Sequence, residues 1–87
     1  MREITLTVQH EVGLHARPAA LFVKTAGRFK SDIQVTKDSH TANAKSILSV
    51  LGLAAGQGAV ITVRAEGPDE DDAVAALQAL VESNFGE

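Results

Sequence analysis

Polar and apolar positions alternate over residues 2–8, with Ile4, Leu6 and Val8 on one side and Glu3, Thr5 and Thr7 on the other, a period of two that predicts a half-buried strand. The period then lengthens. Over residues 16–26, Ala19, Phe22, Val23 and Ala26 fall at i, i+3, i+4 and i+7 and mark one helical stripe, with Gly27 following as its C′ residue. Residues 32–36 alternate again, Ile33 and Val35 facing inward, and the turn composition of Lys37-Asp38-Ser39-His40 predicts a hairpin to a short third strand over residues 40–43. Ile47, Val50 and Leu51 are spaced for a helix over residues 46–53, but two turns need tertiary support to stay helical. After the break Ala54-Ala55-Gly56-Gln57-Gly58, a fourth strand is expected where Ile61, Val63 and Ala65 alternate with Val60, Thr62 and Arg64, and Gly67-Pro68 ends it. The last helix opens on Asp69-Glu70-Asp71-Asp72, with Asp69 as cap and the other carboxylates in the first turn. It carries Ala73, Val74, Leu77, Leu80 and Val81 as its apolar stripe and stops at Asn84 and Gly86.

Strand, helix, strand, strand, short helix, strand, helix is an α+β order. Helices with one apolar stripe and strands with one apolar face are satisfied by two layers, an open-faced sandwich of a four-stranded antiparallel sheet with three helices on one face. A ferredoxin-like split βαβ arrangement draws on nearly the same elements and stays open at this point. The 87 residues fit one domain over residues 1–87, and 45% hydrophobic content supplies its core without metal or disulfide staples.

The absence of cysteine removes the disulfide scaffold, the thiolate zinc site and the thiol nucleophile together. A net charge of -3, no Trp or Tyr and three Phe argue against a nucleic-acid surface. No apolar run approaches the roughly 20 residues of a membrane span, and Met1-Arg2-Glu3-Ile4 does not begin a signal peptide, so a cytoplasmic protein without membrane insertion is expected.

The chemistry gathers in Gly13-Leu14-His15-Ala16-Arg17-Pro18, between the first strand and the first helix. His15 falls near the helix N-terminus, where first-turn N–H groups such as those of Ala16 and Arg17 and the positive end of the dipole suit an anion. Neutral imidazole is a nucleophile, and that same dipole end disfavours its cation. A nucleophile beside an anion site suggests phosphoryl capture. Arg17 offers forked donors to phosphate oxygens, Gly13 lets backbone come close, and Pro18 costs nothing in the first turn. From spacing alone, a plain helix-start histidine and a solvated arginine account for these residues equally well.

His10, Glu11 and His15 do not make a zinc signature, because the second histidine comes five residues after the first in a segment that is not helical. His10 and His40 are expected to be exposed. Gly52, Gly56 and Gly58 form no phosphate-binding loop with Lys45-Ser46, and no cofactor or metal is implied. Ser46 is a natural N-cap, and a phosphate there would add about -1.5 to -2 charges beside helix N–H groups, so it also suits regulation. Ile47, Leu48 and Leu51 cannot all be buried by so short a helix and are candidates for an apolar docking patch.

With both motifs quoted, Gly13-Leu14-His15-Ala16-Arg17-Pro18 and Asn43-Ala44-Lys45-Ser46-Ile47, the chain resembles the HPr family, the histidine-containing phosphocarriers of the bacterial phosphoenolpyruvate:sugar phosphotransferase system, over essentially its whole length. The resemblance implies that His15 is phosphorylated on Nδ1 by enzyme I and passes the group to IIA domains of sugar permeases. Arg17 and the backbone at Ala16 and Arg17 would hold the phosphoryl group. Ser46 matches a regulatory serine phosphorylated in some bacteria by an HPr kinase/phosphorylase, the product acting with a catabolite-control transcription factor. A carrier that shows one face to successive partners is most simply a monomer. Leu48 and Leu51 stand where many relatives have methionine, and Ser49 where they have glycine. Ala54 replaces a common glycine, with Gly56 two residues on, which predicts a shifted helix end. Nitrogen-branch paralogues also keep the histidine. A regulatory interaction module, with His15 only part of an epitope, is the competing reading.

Overall fold

The alternating segments pair into a single antiparallel sheet, and the computed structural model describes them within residues 1–11 and 13–86. Strands β1 (Arg2–Thr7), β2 (Asp32–Lys37), β3 (His40–Asn43) and β4 (Val60–Glu66) lie in the order β1-β4-β2-β3. Helices α1 (Ala16–Ala26), α2 (Ile47–Gly52) and α3 (Glu70–Glu82) cover one face, and Asn84–Gly86 forms a left-handed turn beyond α3. β4 is antiparallel to both β1 and β2, so those two strands run the same way with β4 inserted between them. A split βαβ connection is therefore present, inside an open-faced sandwich whose edges are β1 and β3.

Period two decides which side chains meet the helices. Leu6, Ile33, Val35, Ala42, Ile61, Val63 and Ala65 are buried beneath Ala19, Phe22, Ala26, Val50, Ala73, Val74, Leu77 and Val81. The opposite sheet face is polar: Thr5, Thr62, Thr36 and Thr41 form one row across all four strands. Among the described residues, no helix is long and apolar enough to cross a membrane.

Three helix ends differ from expectation. Gly27 caps α1 with a right-handed φ of -65°, its N–H donating to Val23 O at 2.9 Å, so the end needs no left-handed residue. The end of α2 is not moved to Gly56: Ala54 itself adopts φ +52° just beyond the cap residue Leu53. There Lys37 Nζ donates to Leu53 O at 3.2 Å, placing a cation at the carbonyl end of the helix.

Asp69 precedes α3 but does not cap it with its side chain. Its carboxylate accepts from Lys30 N, Ser31 N and Ser31 Oγ at 2.8, 2.9 and 2.6 Å, tying the start of β2 to the start of α3. The Ser31 hydroxyl, then the backbone donors, hold the Asp69 pKa down at about 2. Glu70 instead accepts the Gly67 N–H.

Candidate functional site

His15 is the N-cap residue of α1, with extended backbone (φ -113°, ψ 163°), and its carbonyl accepts the first helical bond, from Ala19 N–H at 3.2 Å. Its imidazole makes no capping bond and is exposed. Pro18, buried in the first turn, has no N–H, so Ala16 and Arg17 supply the N–H groups that open the helix beside His15. Both are exposed. Ala16 has φ +31°, a left-handed value that costs a residue with a Cβ; the strain lies immediately next to the candidate nucleophile.

The loop in front of His15 is held by contacts distant in sequence. Leu14 is fully buried and its N–H donates to Ala55 O at 2.7 Å. Gly13 has φ +67° and lies so close to Ala55 and Gly56 that a Cβ would fall 2.6 Å from Gly56 Cα. Gln57 Nε2 reaches Gln9 O at 3.3 Å, and Val8 exchanges backbone bonds with Ala59 and Gly58. The segment after α2 is thus the seat of the His15 loop. In the sequence residues 54–58 carry only the composition of a break, and the glycines at 13 and 56 are the signal of the close approach.

Ser46 caps α2 as expected, its Oγ accepting from Ser49 N–H at 3.3 Å. Asn43 prepares that start, its Oδ1 accepting from Lys45 N–H and its carbonyl from Ser46 N–H, both at 3.0 Å. Leu48 is 79% exposed and Ile47 38%, whereas Leu51 is partly buried against the core. Of the three apolar docking candidates, Leu51 therefore does part of its packing inward. α2 and α1 are in contact, so the exposed apolar pair and the His15 loop belong to neighbouring elements.

His10 is not the exposed loop residue expected: it is 7% exposed, its ring edge-on to Phe85 with centroids 5.8 Å apart. His40 is exposed on β3. Among the described residues no group of three His, Asp or Glu side chains is placed to hold a metal ion.

The phosphotransferase HPr family model, described as "PTS HPr component phosphorylation site", matches residues 2–83. The chain is 49% identical over 82 residues to the HPr-like protein Crh of Halalkalibacterium halodurans, covering 94% of this chain and 98% of that one. It is 45% identical to the phosphocarrier protein HPr of Treponema pallidum, covering 95% and 94%. The crystal structure of HPr from Thermoanaerobacter tengcongensis superposes with a TM-score of 0.98 at 52% identity, covering 100% of this chain and 98% of that one.

Proposed function

The chain belongs to the HPr family of phosphotransferase-system phosphocarriers, and from that premise we propose that His15 is the phosphoryl acceptor, charged by enzyme I and discharged by IIA domains. The observation that carries this reading is the exposed imidazole at the first turn of α1, outside any capping bond and next to the Ala16 and Arg17 N–H groups. In the forward step His15 Nδ1 attacks phosphorus, the bond from phosphorus to enzyme I breaks, and the N–P bond forms. Transfer to a IIA domain reverses the roles. The three terminal phosphoryl oxygens then lie near the helix start, where backbone N–H groups and the Arg17 guanidinium stabilise their charge. A wet, shallow site suits a carrier, because an intermediate held too tightly would not be passed on.

The exposed Ile47 and Leu48 serve as the apolar part of the partner surface, and Leu51 supports them from beneath. Ser46 is the regulatory position. A phosphate on its Oγ, donated by an ATP-dependent kinase of the HPr kinase/phosphorylase type, would place about two negative charges beside that patch. Ser46→Asp is expected to slow acceptance from enzyme I; an unchanged rate would refute the coupling. The Crh relative favours a second reading, a regulatory module that binds a catabolite-control transcription factor. Loading separates the two. A carrier loaded on His15 by enzyme I and emptied by an added IIA domain supports the first reading, and no loading by an enzyme I that is competent on another carrier supports the second.

A further inference from the structure

The His15 loop is gripped on two sides, and only one grip lies in the Ala55–Gly56 seat. The other comes from the chain's C-terminal turn. Beyond α3 the backbone takes three successive left-handed residues, Asn84 (φ +57°), Phe85 (φ +58°) and Gly86 (φ +77°). Glycine and asparagine adopt this region readily, but Phe85 does so against local preference. The turn carries Phe85 into the interior, 3% exposed, with its ring at 80° to that of His10 and 5.8 Å away, the favoured edge-to-face arrangement.

His10 is bonded to the segment that leads to the candidate site. Its carbonyl accepts Gly13 N–H at 2.9 Å, Leu14 N–H then bonds Ala55 O, and His15 follows. We infer that Phe85 is a positioning residue for His15: by bracing the His10 ring it holds the His10 carbonyl that accepts Gly13 N–H, while Ala55 and Gly56 hold Gly13 and Leu14 from the other side. This rests on His15 being the phosphoryl acceptor. Buried beyond α3, Phe85 acts on the transfer step rather than on docking.

Phe85→Leu is the deciding variant, since leucine keeps apolar bulk in the turn and removes the ring. Losing an aromatic pair of this kind predicts amide exchange at Leu14 about 3- to 10-fold faster, with exchange at Val35 in β2 unchanged. The His15 ring proton shifts are expected to move, and the phosphoryl-transfer step to slow about 3- to 10-fold with enzyme I binding unaltered. Unchanged Leu14 exchange and His15 shifts would overturn the inference, leaving Phe85 as core filling. Equal acceleration at Leu14 and Val35 would overturn it too, because the effect would then be global. If Leu14 alone loosens and the His15 shifts move while the unmodified protein accepts no phosphate, the positioning stands and the acceptor reading falls.

Discussion

Replacing Gly13 with alanine attacks the seat of the candidate site without touching His15. The new Cβ would lie 2.6 Å from Gly56 Cα and 2.9 Å from Gly56 C, and closer still to Ala55 O. All three are backbone atoms, so relief requires the loop to lift by roughly 1 Å to reach ordinary contact. The φ of +67° adds about 1–2 kcal/mol for an L side chain in the left-handed region. Lifting also breaks the bond from Leu14 N–H to Ala55 O, and a buried donor left unpaired costs about 1–3 kcal/mol. The sum, about 2–5 kcal/mol, is a large share of the about 5–15 kcal/mol typical of a whole domain. At about 4–8 °C per kcal/mol for a chain of this size, the midpoint should fall by roughly 8–40 °C.

Thermal unfolding followed by circular dichroism measures the first effect. Phosphoryl transfer from enzyme I, assayed well below the lowered midpoint, measures the second. A displacement near 1 Å at a reacting centre predicts a loss of about 100-fold. A Gly13→Ala protein with an unchanged midpoint and normal transfer would refute the Ala55–Gly56 seat, because no such protein could keep both the observed backbone and the added methyl group.

Ala54→Gly tests the same geometry in the opposite direction. At φ +52° on an exposed residue, glycine removes the left-handed cost but loosens the unfolded chain, so a net gain of about 0.5–1 kcal/mol is expected from denaturant midpoints at constant m-value. A loss of stability would show that Ala54 is not strained. For Asp69, the folded pKa of about 2 lies below the ordinary 3.8, so its contribution is complete above pH 3.8 and disappears as pH falls through about 2. Asp69→Asn should flatten the pH dependence of the denaturant midpoint across that window; identical slopes in the two proteins would contradict the link to Lys30 and Ser31.

Local patterns made most of this fold legible. The period-two runs of β1, β2 and β4, the helical stripe of α1 and the Ser46 cap each depend on neighbours a few residues away, and each is found where those neighbours predict it. Distant partners account for the differences. Asp69 looks like a cap until Lys30 and Ser31 arrive with three competing donors. His10 reads as a loop residue until Phe85 folds back over it. Leu14, Leu53 and Ala55 are buried although they sit outside regular elements, so no periodicity marks them. The same division holds at the site. A histidine at the head of a helix can be read from Gly13 to Pro18, but the seat that holds it, at Ala55 and Gly56, is made only by the tertiary fold.

The central claim is that His15 takes the phosphoryl group, and the most direct test is incubation with phosphoenolpyruvate, Mg2+ and a competent enzyme I, followed by intact mass and site mapping. The account predicts one added phosphate, acid-labile and base-stable, located on His15 and absent from a folded His15→Ala variant. Phosphate on another residue, or full labelling of His15→Ala, would contradict it.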